Sequence, residues 1–439
     1  MLDVLSDRTY RHLFLAQVVA LLGTGLATVA LGLLAFDLAG GNAGLVLGTV
    51  FTIKMLAYVF IAPVAGALAG QIDRRRLLVA LDLVRAAAAL ALPFVTEVWQ
   101  VYVLIFLLQA ASAGFTPAFQ ATIPDVLPDE TRYTRALSLS RLAYDLENIL
   151  SPALAGLLLV LMSYNSLFLG TVAGFLASAL LVLSVALPGP RPAARRSIWG
   201  RTTRGIRIYL ATPRLRGLLA LNLSVSAAGA MVLVNSVVLV RGVLGLEETA
   251  LAGAMFAFGA GSMAAALLLP RLLDRVADRP VMLAGAGGLI ASLLGLAAVI
   301  TVAGLSFPAL LAAWVLAGLG FSAVLTPAGR LLRRSAHADD RPALFAAQFA
   351  LSHACWLLCY PLAGWLMTRA GTLPALMMLA ALAAVGLAAC LRLWPRDDPE
   401  EVEHTHANLP LGHPHLKGNR THSHALIIDE HHPRWTKNL

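Results

Sequence analysis

The residues in this chain best suited to bind a metal ion are histidines close to its C-terminus. Eight of the eleven histidines lie between positions 404 and 432, and the first member of each group recurs every nine residues. Imidazole suits nickel, cobalt, copper and zinc, and a flexible strand with several pairs can complete a coordination shell without a preformed fold. The spacing predicts divalent-metal binding by the tail, with a merely solvated polar tail as the alternative. The predicted ligands are His404, His406, His413, His415, His422, His424, His431 and His432.

Charged residues inside apolar segments are the second group that could do chemistry. A charge at mid-membrane costs roughly 2.5–3.5 kcal/mol, so it is expected to face a partner or an interior cavity. Lys54 stands near the middle of the second apolar segment, where a structural partner and a coupling role fit it equally. Arg141 and Asp145 are four residues apart and can pair along one helix face. Their position near the end of the segment favours a structural or gating pair.

Glu147 is the carboxylate best placed to couple transport to protons. It lies two residues beyond Asp145, about 200° around a helix, and cannot share that face. It therefore needs another partner, and Lys54 is a candidate at similar depth. An acid shielded from water can take up and release a proton as access alternates between the two sides. Simple neutralisation of Lys54 explains the residue equally well.

Polar and aromatic side chains in the apolar segments could line a transport cavity. They are His353, Gln348, Tyr58 and Tyr144. His353 could relay protons or contact a metal, and a hydrogen-bonded packing role is the alternative. The rings of Tyr58 and Tyr144 would instead suit an organic solute.

The elements that must position these residues are membrane-spanning helices. The 439 residues are 59% hydrophobic and only 13% charged, which excludes a water-soluble globule with an ordinary polar surface. The length allows about twelve helices of about 20 residues each. The apolar runs lie at about 12–36, 43–69, 77–96, 98–122, 138–161, 165–187, 217–240, 249–270, 281–303, 305–328, 344–367 and 373–394.

Six of these runs precede one long polar break, and six follow it. The break from Pro188 to Arg216 carries eight arginines and no acidic residue. Further arginines follow the second, eighth and tenth runs. Because cytoplasmic loops carry an excess of Lys and Arg, this distribution predicts that both termini lie in the cytoplasm. The predicted fold is an all-α membrane protein of twelve spans, with an N-terminal bundle (1–187), a cytoplasmic linker (188–216), a C-terminal bundle (217–394) and a cytoplasmic tail (395–439).

Several classes of function are excluded by the sequence. It contains no phosphate-binding loop, zinc-protease motif or nucleophile elbow, so we expect no enzyme and no nucleotide-driven pump. The net charge of +9 comes largely from arginines in short loops, which orients a membrane protein and implies no nucleic-acid partner. The expected partners are the lipid bilayer, protons and a metal ion, and no cofactor is required.

A family resemblance lies after the second apolar run. The stretch Gly66–Arg76, GALAGQIDRRR, resembles the G-x-L-A-D-R-x-G-R-R motif of the major facilitator superfamily, although Gly70 and Gln71 stand where that family usually has Asp and Arg. The equivalent loop of the second half carries an acidic and basic pair. The resemblance implies two six-helix bundles with a gating loop formed by Gly66, Asp73, Arg74, Arg75, Asp274 and Arg275.

Three stretches also resemble the nickel-resistance (NreB-like) exporters of proteobacteria. They are Ile53–Tyr58, Ser352–Trp365 and the histidine-rich tail ending at Trp435. This resemblance implies export of Ni²⁺, with Co²⁺ as a second metal, across the bacterial inner membrane. The expected mechanism is proton antiport with alternating access, and the metal would be both substrate and tail ligand. The alternatives are an exporter of an organic solute, such as a drug or siderophore, and a metal receptor that does not transport.

Overall fold

The computed structural model of the chain is helical through nearly all of the part that it describes. It describes residues 2–39, 43–69, 72–188, 198–398, 401–405, 421–424, 426–429, 432 and 435. A short 3₁₀ helix, Leu2–Ser6, precedes the first long helix. The predicted tail ligands His406, His413, His415 and His431, and the motif positions Gly70 and Gln71, lie outside the described residues.

Six helices form the N-terminal half. They are α1 (Arg8–Ala39), α2 (Ala43–Ala69), α3 (Arg74–Ala91), α4 (Val98–Val126), α5 (Glu130–Leu161) and α6 (Tyr164–Leu183). Two begin at an aspartate whose side chain caps the free amides of the first turn. The Asp73 carboxylate accepts from the Arg76 amide at 2.9 Å, and that of Asp129 accepts from the Arg132 amide at 2.8 Å. These caps fix the residues at which α3 and α5 begin.

Eight further helices follow. They are α7 (Ile198–Ala211), α8 (Pro213–Val237), α9 (Glu248–Leu273), α10 (Asp278–Ala303), α11 (Phe307–Leu325), α12 (Ala328–Arg334), α13 (Arg341–Ala370) and α14 (Thr372–Leu393). The polar break predicted as a linker is therefore partly helical. It contains α7, and α8 begins at Pro213, a few residues before the predicted boundary of the second bundle. The tenth apolar run is divided between α11 and the short α12.

The membrane-spanning character of these helices agrees with the predicted fold. Eleven described helical stretches are long and apolar enough to cross a bilayer. The remaining predicted span corresponds to α5, whose 32 residues reach about 48 Å at about 1.5 Å per residue. Since α5 carries Arg141, Asp145 and Glu147, it is the most polar of the long helices in its middle. The structure confirms the all-α membrane fold.

Packing joins the helices into two halves that meet along defined pairs. In the N-terminal half α1 packs on α5 and α6, and α4 packs on α2 and α3. In the C-terminal half α8 packs on α13 and α14, and α11 packs on α9 and α10. The halves meet where α2 packs on α13 and where α5 packs on α9. Any movement between the halves must change these two contacts.

The tail contains a short β-hairpin. Strand β1 (Val402–Thr405) pairs antiparallel with β2 (Thr421–His424). The register places His404 opposite His422 and Val402 opposite His424. Two of the predicted metal ligands are therefore cross-strand neighbours, which a sequence spacing of 18 residues did not reveal.

Candidate transport site and gate

A polar group lies on the face of the N-terminal half that meets α13. The Tyr58 hydroxyl of α2 donates a hydrogen bond to Oε1 of Gln109 in α4 at 2.9 Å. The Lys54 ammonium lies one turn away, 5.7 Å from the centre of the Tyr58 ring. Lys54, Tyr58 and Gln109 are each partly buried and each near the middle of its helix. The Lys54 ammonium and the Tyr58 ring therefore form a cation–π contact near the middle of the span.

Two side chains of α13 close onto this group from the other half. The Tyr58 ring centre is 4.8 Å from that of Phe349 and 4.8 Å from that of His353. His353 Nδ1 lies 2.7 Å from the Phe349 carbonyl oxygen. Because a carbonyl only accepts, that nitrogen carries the proton, and Nε2 is the ring nitrogen that remains for another partner. His353 is thus anchored to its own helix and contacts Tyr58 through its ring.

Glu147 lies beside Lys54 without touching it. The two side chains are electrostatic neighbours. Among the described residues, however, no hydrogen bond or ion pair holds the Glu147 carboxylate. Its side chain passes α1 at Gly25, where an added Cβ would lie 3.6 Å from Glu147 Cγ. The sequence predicted Lys54 as a partner of Glu147, and the structure places the two as neighbours rather than as a closed ion pair.

Arg141 and Asp145 form the ion pair that their spacing predicts. Nε of Arg141 donates to Oδ1 of Asp145 at 3.1 Å, and Nη2 donates to the same oxygen. The guanidinium also lies 5.0 Å from the ring centre of Phe321 in α11. The second carboxylate oxygen of Asp145 is buried without a hydrogen-bond partner. This pair therefore belongs to the boundary between the halves, where α5 faces the C-terminal bundle.

An aromatic wall faces this boundary from the C-terminal half. Trp356 lies 4.9 Å from Tyr360 and 6.3 Å from Phe321, measured between ring centres, and Phe321 is 5.3 Å from Phe258. The indole lies against Gly229 of α8, where an added Cβ would come within 2.3 Å of it. Aromatic faces of this kind bind apolar and cationic groups of organic molecules.

The remaining predicted cavity residues fall in two places. Tyr144 is an electrostatic neighbour of Glu147, and on the same helix Ser140 donates to Oε1 of Gln17 in α1 at 3.0 Å. Gln348 instead faces the linker helix, because its Oε1 accepts a hydrogen bond from the buried Tyr209 of α7. Tyr144 therefore belongs with Glu147 on the α1–α5 face, whereas Gln348 ties α13 to α7.

One carboxylate joins the halves at the end of the molecule that carries the arginine-rich loops, called here the basic end. Asp125, at the end of α4, lies 2.6 Å from Arg74 of α3 and 2.7 Å from Arg341 at the start of α13. Its side chain is only 6% exposed. Sequence reasoning missed Asp125 because nothing local shows which arginines it meets.

A second cluster joins α5 to α12 at the same end. Glu130 lies 3.2 Å from Arg330 and 3.0 Å from Arg333. Arg330 also pairs with Asp278 at 3.1 Å, and Arg333 donates to the carbonyl of Pro128. We call the stretch from Arg330 to Arg341 the gate segment, because its arginines hold both Glu130 and Asp125 of the opposite half. The basic end is closed in this structure.

Some of the residues that the family motif marks as a gating loop make packing or polar contacts, whereas others are exposed to solvent. A Cβ on Gly66 would lie 2.4 Å from that of Ala346, so the glycine permits α2 to touch α13 across the boundary. Arg75 donates to the carbonyl of Leu183 inside its own half. Asp274 and Arg275 are exposed, and the described residues offer neither side chain an ion-pair partner. Asp278 takes the position in the gate that was expected of Asp274.

The tail histidines are placed only in part. No group of three or more His, Cys, Asp or Glu side chains that could hold a metal ion occurs among the residues that the structure describes. His432 is buried, and its Nδ1 lies 2.9 Å from Oδ1 of Asp429. The Oδ2 atom of Asp429 lies 3.4 Å from Nε2 of His337, and this contact raises the pKa of His337. Burial alone would raise the pKa of Asp429, but the two imidazoles hold it well below its ordinary value.

Comparison with known proteins identifies efflux proteins among the relatives. The chain is 30% identical over 138 residues to macrolide efflux protein A of Enterococcus faecalis, covering 30% of this chain and 42% of the relative. It is 26% identical over 181 residues to the multidrug resistance protein MdtG of Dickeya zeae, covering 41% and 44%. It is also 30% identical over 127 residues to the uncharacterised transporter YfiS of Bacillus subtilis, covering 29% and 30%. The matches therefore span less than half the length of these relatives.

Solved structures share the fold at low sequence identity. The human organic anion transporter MFSD10 superposes with a TM-score of 0.75 at 13% identity, covering 87% of this chain and 99% of that one. A bacterial homologue of the iron transporter ferroportin in an outward-facing state gives 0.74 at 14% identity, covering 88% and 99%. The family model described as Major Facilitator Superfamily matches residues 13–302 and 219–428. Since these matches cover most of the chain, it belongs to the major facilitator superfamily.

Proposed function

We propose that this chain is a proton-coupled exporter of an organic solute in the bacterial inner membrane, with both termini in the cytoplasm. Membership of the superfamily supports a membrane carrier rather than an enzyme. The relatives named for macrolide efflux and multidrug resistance favour an organic substrate over nickel. This reverses the order of the two substrates that the sequence suggested.

The observation that carries the proposal is the environment of Glu147. Its carboxylate is partly buried at mid-span, near Lys54, and no described residue holds it in an ion pair. Burying a charge away from water is costly unless the group is paired or can neutralise itself by taking up a proton. Glu147 therefore has a reason to bind a proton.

The aromatic rings at the boundary between the halves support an organic substrate. Tyr58, Phe349 and His353 form one set of ring contacts, and Phe321, Trp356 and Tyr360 form a second. Of these six rings only the His353 imidazole is a strong ligand for a divalent cation, and one ligand does not complete a coordination shell. The positive-inside rule places the basic end in the cytoplasm, so the structure corresponds to a state that is closed toward the cytoplasm. Rocking of the halves about the α2–α13 and α5–α9 contacts would expose the site to each side in turn.

Compound accumulation in cells that lack their own drug pumps tests the substrate class. Cells expressing the chain are loaded separately with a macrolide, a lipophilic cationic dye and Ni²⁺. We expect lower accumulation of an organic compound than in cells with Glu147→Gln, and unchanged nickel content. Glu247→Gln makes the same chemical change at an exposed position and should behave as wild type. Equal accumulation of every organic compound with and without the chain would contradict the proposal.

Nickel export remains a second candidate because of the hairpin register. His404 and His422 are opposite each other in an antiparallel ladder, where Cβ atoms lie about 4.5–5.5 Å apart. A histidine at each of two paired strand positions is a pattern that suits binding of one Ni²⁺ or Co²⁺ ion. Replacing both by alanine should weaken nickel binding to the purified protein, whereas Ser423→Ala should not. Lower nickel content in expressing cells, together with unchanged organic accumulation, would favour this candidate.

A further inference from the structure

The last described residues of the chain are docked against the basic end of the C-terminal half. Leu426 is 1% exposed, Ile428 4% and His432 5%. Ile428 belongs to the apolar core of that half, and Trp435 packs against the same core. We call Leu426, Ile428, Asp429, His432 and Trp435 the strap. A tail that served only as a solvated metal collector would have no reason to bury these side chains.

The strap is held by polar contacts from three separate elements. The carbonyl oxygen of Ile428 accepts from Nη2 of Arg204 in α7 at 3.5 Å. Trp435 stacks over the guanidinium of Arg214 in α8, with 5.1 Å between Cζ and the ring centre. Asp429 reaches His337, which lies between α12 and α13. The strap therefore crosses the linker helix, the first helix of the C-terminal half and the gate segment.

These contacts meet the gate segment on the side away from the N-terminal half. Arg204 also pairs with Asp340 at 2.8 Å, and the next residue along the chain, Arg341, pairs across the boundary with Asp125. At the other end of the segment, Arg334 pairs at 2.7 Å with Asp398, where the tail begins. Its neighbour Arg333 pairs across the boundary with Glu130. The gate segment is thus fastened to the N-terminal half on one side and to the tail on the other.

We propose that the strap is an intramolecular brake that holds the gate segment in the position that closes the basic end. Opening of that end requires Arg330, Arg333 and Arg341 to leave their partners in the N-terminal half. The linker helix α7 packs on α2 of the N-terminal half as well as on α13, so separation of the halves shifts α7 relative to the gate segment. While the strap is docked, that shift must break the contact of Asp429 with His337 or that of Arg204 with Ile428. Release of the strap therefore raises the population of the state that is open at the basic end.

Distances between the halves test this brake without any transported substrate. Spin labels are attached to cysteines placed at Arg76 and Arg275, which are exposed at the basic end of opposite halves. Distance distributions are then measured on the full-length protein in lipid nanodiscs. Trp435→Ala removes the contact with Arg214, and Asp429→Asn removes the charge that faces His337 and His432 but keeps the size of the side chain. Ser423→Ala, an exposed change in the hairpin of the same tail, is the control.

We expect the longer-distance population to rise roughly two- to fivefold in either strap variant, about the effect of one lost cation–π or charged contact. The Ser423→Ala distribution should match that of wild type. Unchanged distributions in both strap variants would overturn the proposal. The same conclusion follows if these variants only lower the melting temperature while the distances stay fixed, because that outcome assigns the strap to packing alone. Neither result depends on whether the substrate is organic.

Discussion

The Asp125 carboxylate lies 2.7 Å from Arg341 of the opposite half and 2.6 Å from Arg74 of its own half. Two guanidinium groups therefore share one buried carboxylate at a boundary that must separate when the basic end opens. Motion of α13 away from α4 leaves this charge with a single partner. The strength of the bridge sets how readily the carrier leaves the closed state.

Asp125→Asn should favour the state open at the basic end. The amide keeps the size of the side chain but removes the charge, so Arg74 and Arg341 are left close together without a counterion. We expect the open population to increase roughly tenfold, equivalent to about 1.4 kcal/mol. Reaction of a thiol reagent with a cysteine placed at Ala346, on the closed contact with Gly66, measures this change.

Asp274→Asn is the matched control for that variant. The family motif marked Asp274 as a gating residue, but the structure leaves its side chain exposed. We therefore expect its thiol reactivity profile to equal that of wild type. A larger effect at Asp274 than at Asp125 would contradict the assignment of the gate.

Gly25→Ala should disrupt the contact between α1 and α5 beside Glu147. The added Cβ would lie 2.1 Å from Oγ and 2.2 Å from Cβ of Ser151, distances that cannot persist. Overpacking of this kind costs about 1–3 kcal/mol, and here it would also displace the Glu147 stem. Loss of transport with a lowered melting temperature is the expected result. Gly32→Ala, on the same helix with open space around it, should be tolerated.

The double variant Gly25→Ala, Ser151→Gly identifies the cause of that loss. Removing the Ser151 side chain takes away both atoms that the new methyl group would meet. Transport should recover in the double variant, whereas Ser151→Gly alone should have a small effect. Failure to recover would show that Gly25 serves some purpose other than close helix packing.

Tyr58→Phe and Tyr58→Ala should separate the hydrogen bond of Tyr58 from its ring contacts. Phenylalanine keeps the packing on Phe349 and His353 but leaves Gln109 Oε1 without its donor, a loss of about 1–3 kcal/mol if no water replaces it. Alanine also removes the ring that supports Lys54. We expect a moderately raised KM for transport in the first variant and near loss of activity in the second. Equal KM values in all three proteins would remove Tyr58 from the site.

The contact between His337 and Asp429 should make tail docking dependent on pH. Asp429 raises the pKa of His337, with Asp339 and Asp340 adding to the effect, so the imidazole is protonated more readily when the tail is docked. Its contribution to docking is complete below the ordinary value of about 6.5 and is lost as pH rises through the raised value. Titration of isotope-labelled histidines by NMR should show the pKa of His337 falling in Asp429→Asn. An unchanged titration would contradict the contact.

The helices and their grouping could be predicted from the sequence, because a run of about 20 apolar residues has few alternatives to a membrane span. The residue at which α5 begins could not be predicted in this way. The apolar run begins near residue 138, whereas α5 begins at Glu130, since its first turns lie outside the apolar region and are fixed by the Asp129 cap. The helix α7 was missed for a related reason. Its arginines indicate an open linker, but Gly205 lets it pack onto the Ala343 backbone of α13.

The types of residue in the site could be predicted from the sequence, but most of the ion pairs that they form could not. Arg141 and Asp145 share one helix face, so spacing alone predicts their ion pair. Asp125 and Glu130 meet arginines about 200 residues away in sequence, and only the packing of the two halves decides which ones. The family resemblance placed the second gating acid at Asp274, whereas Asp278 lies one helical turn further on and faces Arg330.

Proton movement driven by the exported solute is the most direct test of the account. The purified chain is placed in liposomes that contain a pH-sensitive dye, and the organic compound that best distinguishes expressing cells is added on one side. We predict a change of internal pH with wild type and with Glu247→Gln, and no change with Glu147→Gln. Solute transport with no accompanying proton flux in the wild type, or an equal flux in Glu147→Gln, would contradict the role given to Glu147.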